Sequence, residues 1–245
     1  MTSSTAEAGP SPAGPGVFAR FIGIIFSPRP TFEQVAAQPR WLGMAALVGV
    51  AGAILIGGFL MTDVGQQAWL DQAVSQSESV GQTMSDEQYA RMERIAPFVG
   101  YIGMAQMILG VPIILLVVSA VLFAVFNAVM GGSATFKQLY SVVIHSTAVW
   151  VVGWLFVAPL NYARGSMSSP TNLSVLVPML DEQNFVTRLL GTVDLFMVWW
   201  TVVLAIGVAA LYRRRTPPIL MAFLGVYALI AIGIAAFMAS RAGSS

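Results

Sequence analysis

The chain has 245 residues, of which 57% are hydrophobic and only 9% charged. A soluble domain carries roughly 25% charge, so this composition excludes an ordinary soluble globule and defines an integral membrane protein. The net charge of +1 excludes a nucleic-acid footprint, and the lack of cysteine, with His145 the single histidine, excludes disulfides, thiol catalysis and thiolate-held zinc or iron–sulfur sites.

Residues 1–16, MTSSTAEAGPSPAGPG, have neither the basic start nor the apolar run of a signal peptide, and are expected to be a retained, disordered tail. Residues 17–40 follow as an interfacial amphipathic segment. Phe18, Phe21, Ile22 and Ile25 share one helical side, in a run too short to span and flanked by Arg20 and Arg29. The SPRP break at Ser27 to Pro30 ends this helix, and Thr31 with Gln34 is spaced as a capping box for a second one that stops at Pro39. A lead-in packed on the bundle is an equally open reading of the segment.

The rest, 41–240, reads as an all-α helical bundle of five transmembrane helices, at about 41–61, 97–130, 138–161, 190–212 and 217–239. In the first, Ala45, Gly49, Ala53 and Gly57 recur every fourth residue, a stripe that lets another helix approach closely. A polar outer loop from Asp63 to Glu93 is expected to be partly helical. It contains a helix around Ala68 to Val74, a capping box at Ser85 with Gln88, and a Glu87–Arg91 pair at i,i+4 spacing.

The apolar run Ile95 to Met130 would be about 54 Å as a helix, against a hydrocarbon core of about 30 Å. One long helix, bent near Pro112, fits better than two spans. Gly131-Gly132-Ser133 forms a turn into the third span. A second outer loop runs from Tyr162 to Thr187, with an apolar patch at Leu173 to Leu180 too short to cross. On the last span Gly225, Ala228, Ala231 and Ala235 form another small-residue stripe.

Five spans put the termini on opposite sides. With the N-terminus cytoplasmic and the C-terminus outside, seven basic residues lie inside (Arg20, Arg29, Arg40, Lys137 and Arg213 to Arg215) against five outside (Arg91, Arg94, Arg164, Arg188 and Arg241). The triple arginine beside a span end is the main support for this orientation.

Candidate chemistry is sparse, and no catalytic, cofactor or metal site is expected. Asp194 is the one acid in an apolar span, which marks it as a functional candidate. The start of a helix also favours a carboxylate structurally, and Arg164, Arg188 or Asn161 at that level could pair with it. Ser141 and His145 share a face on the opposite half of the membrane. About 14 Å of depth separates His145 from Asp194 across a core of about 30 Å. A polar pathway through Ser141, His145 and Asp194 therefore needs intermediates. Trp150, Trp154, Trp199 and Trp200 suit an aromatic belt.

Four stretches carry a family resemblance: FSPRPTFEQVAAQPRW (Phe26 to Trp41), MSDEQ (Met84 to Gln88), GGSATFKQLYSVVIHS (Gly131 to Ser146) and VDLFMVWWTVVLAIG (Val193 to Gly207). In order and spacing they resemble the bacterial branch of the Yip family, membrane proteins with five spans. The family positions are Gly131, Gly132 and Phe136 in the third stretch, and Asp194, Phe196, Trp199 and Gly207 in the fourth. Family members often carry a proline after the third-span serine, where this chain reads Thr147-Ala148-Val149.

The resemblance implies a non-enzymatic polytopic protein, in bacteria an inner-membrane scaffold or accessory protein. Its expected partners are the lipid bilayer and a second copy of the chain or an ABC-type exporter. The alternative from the residues is a small transporter or channel using Asp194 and His145.

Overall fold

In the computed structural model, residues 15–79, 81–177, 179–180 and 184–242 are described, residues 241 and 242 by backbone alone. Most of the expected N-terminal tail lies outside these residues. Described residues are almost entirely helical, and their one β-type pairing is an isolated bridge between Asn172 and Asp194. The all-α membrane bundle read from the sequence is the observed fold.

Two short helices lead in, α1 (Val17–Phe26) and α2 (Pro28–Ala37). α2 begins three residues before the expected capping box at Thr31. Pro28 and Pro30 both fit the first turn, where no N–H is needed. The Thr31 hydroxyl donates instead to the Ser27 carbonyl (2.8 Å). α1 lies at the surface with Phe18, Ile22 and Phe26 outward, whereas α2 enters the bundle and buries Phe32 and Val35 completely. The α2 half of the lead-in is packed on the bundle.

Among the described residues four helices are long and apolar enough to cross a membrane: α3 (Leu42–Leu60), α5 (Asp86–Val129), α6 (Phe136–Arg164) and α9, whose spanning part is Thr216–Ser240 within Thr216–Ala242. The small-residue stripe on α3 works as expected. A Cβ on Gly49 would stand 3.4 Å from the Ile108 Cα, and one on Gly57 3.4 Å from the Gly100 carbonyl, so α3 and α5 approach backbone to backbone. The stripe on α9 is only half used. Ala231 and Ala235 are buried, but Gly225 and Ala228 face outward.

Between α3 and α5 lies α4 (Asp63–Ser79), longer than the helix expected around Ala68 to Val74. The Ser85–Gln88 capping box forms, and Arg91 meets Glu87 at 3.6 Å. From that cap α5 runs unbroken for 44 residues into and through the apolar core. Two of its departures from regular geometry fall at Ala96–Phe98, around Pro97, and at Gln106–Gly110, just before Pro112. These two follow from a missing proline N–H; a third, at Ala124–Val129, has no proline beside it.

The fourth expected span, 190–212, is divided. α7 (Phe185–Gly191) stops before Asp194, and α8 (Leu195–Leu211) starts after it. At 17 residues α8 is about 26 Å long. That is just under the roughly 30 Å core, so its flanking residues sit close to both membrane faces. The packed centre is the first half of α6, where residues 139–149 are all buried, laid against Val203 to Ala210 of α8, with Phe32 of α2 between them.

Candidate functional site

The residues singled out in the sequence gather at the two ends of α8. At its N-terminal end Asp194 is the N-cap of α8, one position before the first turn. Its Oδ1 accepts the backbone N–H groups of Phe196 (2.8 Å) and Met197 (3.2 Å). Its Oδ2 accepts the hydroxyls of Ser169 (2.6 Å) and Thr171. Both oxygens are therefore engaged, and helix-end donors supply half the bonds.

The basic residues at this level go elsewhere: Arg164 donates to Ser168, and Arg188 to the Ser79 carbonyl. The ion pair expected for Asp194 is replaced by hydroxyls from the loop between α6 and α7. Backbone bonds from Leu173 to Val193 (2.9 Å) and from Leu195 to Thr171 (3.1 Å) complete the seam. Tyr227 of α9 closes it, accepting from the Asp194 N–H and donating to the Thr192 carbonyl. Short hydroxyl residues after a helix-ending glycine were the only sequence signal for Ser169 and Thr171.

Down α8 the family positions are packing contacts. Phe196 lies against Gly153, where a Cβ would come within 3.0 Å of its ring, and 6.1 Å from the Trp199 ring. A Cβ on Gly207 would meet Val142 at 2.7 Å and Phe32 at 2.9 Å. Trp150 and Trp200 pack at 5.2 Å, and the Trp200 indole donates to the Ser146 hydroxyl (2.9 Å). All four tryptophans expected in a belt are half-buried, and they join α6 to α8.

At the other end, Gly131 takes a left-handed φ of +69°, which suits glycine. A Cβ on Gly132 would strike the Phe126 carbonyl at 2.7 Å. Phe136 packs on Phe123 at 5.8 Å, directly after a second capping box from Thr135 to Gln138. Asn127 ties the turn together, donating to the Ala134 carbonyl and accepting from the Tyr212 hydroxyl (2.7 Å each). Arg214 donates to the Met130 carbonyl (3.1 Å). Asn127 and Tyr212 were missed in the sequence because each reads alone as an ordinary interfacial residue.

His145 stands apart from Asp194, in the packed core of α6. Its Nδ1 lies 2.7 Å from the Ser141 carbonyl oxygen. A carbonyl only accepts, so Nδ1 carries the proton and Nε2 presents a lone pair. Nε2, the Ser141 hydroxyl and the Nε of Arg20 are buried with no hydrogen-bond partner among the described residues. Arg20 donates to the Gln38 carbonyl (3.4 Å). Its burial was missed because Arg20 reads as a flanking charge; Ile24, four residues on, marks the inward face. α6 breaks at Thr147 without a proline, its hydroxyl bonding back to the Ile144 carbonyl. Among the described residues no group of acids and histidine could hold a metal ion.

Helices long enough to cross, a core built on α6 and α8, and motif residues spent on caps and close contacts define a polytopic α-helical membrane protein. Residues 22–239 match the Yip1 domain. The chain belongs to the Yip family. It is 27% identical over 187 residues to "Membrane protein YknW" of Bacillus subtilis (strain 168), covering 76% of this chain and 75% of that one. No solved structure matches.

Proposed function

We propose that this protein is a non-enzymatic scaffold or accessory protein of the bacterial inner membrane, with the partner class an ABC-type exporter as the family resemblance implies. In this reading the N-terminus is cytoplasmic, the C-terminus is outside, and Asp194 is a structural anchor. The observation that carries it is α5. Its most apolar stretch is only 11% buried within the chain, and its polar start continues as the same helix beside α4. Such an element offers a partner one rigid edge in the membrane and one outside it. Lys137, Gln138, the triple arginine and the end of α2 gather at the opposite end, which supports the orientation.

Because the chain has no cysteine, single cysteines can be introduced one at a time. Glu87→Cys on the outer arm and Phe18→Cys on α1 would be treated in cells with a maleimide crosslinker. The expected result is capture of a transporter subunit through position 87 alone. Capture of only a second copy through 87 would overturn the exporter partnership. A lone monomer from both sites, in a mild extraction as well, would overturn the scaffold reading.

A further inference from the structure

A groove of about 850 Å³ opens on the membrane-facing side, between α5 and α9, with α8 as its floor. One wall is Val117, Val121 and Val125, at i,i+4,i+8 on α5; the other is the face of α9 that carries Ala222 and Val226. It stays open because α9 leans on α8 and α7 rather than on α5. The Thr201 hydroxyl in the floor is turned back to the Met197 carbonyl (2.8 Å), and the charged lining residues, Arg214 and Arg215, stand exposed at one end. Among the described residues neither is paired with a carboxylate. At the far end Tyr227 contributes its ring, since its hydroxyl is engaged with Asp194 and Thr192.

This distribution fits an amphiphile with an anionic head. From Thr216 to Ile230 the α9 wall rises about 21 Å, enough to follow a chain through one leaflet of about 15 Å, half the roughly 30 Å core. Paired basic residues between transmembrane helices at a membrane face are suited to a lipid phosphate. A second copy docked by a two-fold axis normal to the membrane would bring two Arg214–Arg215 pairs together at one depth, which like charges disfavour.

We propose that the groove binds an anionic phospholipid, its acyl chain lying between Val121 and Ala222 and its phosphate held by Arg214 and Arg215. The site does not depend on the scaffold reading above. It is tested by native mass spectrometry of the full chain, titrated with phosphatidylglycerol and, separately, phosphatidylcholine.

Wild type retains phosphatidylglycerol in preference. Arg215→Gln weakens that preference about fivefold, and the Arg214→Gln/Arg215→Gln pair by about that factor again, with phosphatidylcholine unaffected. Ala222→Trp fills the groove and lowers retention of both lipids. Val121→Trp repeats this from the opposite wall without touching α9. Equal retention of the two lipids by wild type would overturn the proposal. So would an undiminished preference in the double variant. A loss of oligomers in Ala222→Trp with unchanged lipid retention would also overturn it, in favour of a protein occupant.

Discussion

α5 and α6 are both crossing helices, yet they solve opposite problems. α6 buries 67% of its most apolar stretch inside the chain, and α5 buries 11%. The buried helix is the more polar one: Ser141, His145, Ser146 and Thr147 all lie in its core-facing half. The apolar α5 turns Ile113, Ile114, Val117 and Val121 outward. In water the reverse would hold. Lipid is as apolar as leucine, so side-chain apolarity gives no reason to be inside. Close backbone approach, and the need to keep polar side chains out of contact with lipid, decide which helix is central.

The contrast is broken most severely at Gly207, where α8, α6 and α2 converge. Gly207→Leu places a branched side chain where even a Cβ meets Val142 and Phe32 below 3 Å. A destabilisation of about 3 kcal/mol or more is expected from such overpacking, read as a loss of folded protein in a detergent melt followed by size exclusion.

Next in size is Asp194→Ala. It removes the α8 cap and strands the Ser169 and Thr171 hydroxyls, for a cost of about 2 kcal/mol. Asp194→Asn keeps one acceptor and should fall between. A transport role for the carboxylate would instead appear as lost flux in reconstituted vesicles at unchanged stability. Tyr212→Phe breaks only the bond to Asn127 at the other end and should cost about 1 kcal/mol in the same melt.

These magnitudes follow what was and was not legible in the sequence. Apolar runs and glycine spacing are local signals, so the membrane class, the long α5, the α3 stripe and the Ser85 cap could all be read. The family positions were legible as a pattern but not as roles. Gly207 needs Phe32 from 175 residues earlier to explain it, and Asp194 needs hydroxyls from a loop with no periodicity. The division of the fourth span was hidden because Asp194 sits inside an otherwise apolar run, and hydropathy does not distinguish a cap from a first-turn residue. The burial of Arg20 depends on how α1 and α2 fold onto α6, which no window of sequence contains.

The smallest expected effect tests the other half of the comparison. Leu229 of α9 is 71% exposed within the chain. In a soluble core Leu→Ala costs about 2–5 kcal/mol. Here the leucine exchanges contact with lipid for contact with lipid, so Leu229→Ala should change stability by less than about 0.5 kcal/mol. The check is the same melt made on wild type and variant in nanodiscs, where the lipid contact is present. A shift as large as that of Tyr212→Phe would mean that a protein surface, rather than lipid, covers this part of α9. The α9 face would then join the edge of α5 as part of an interface.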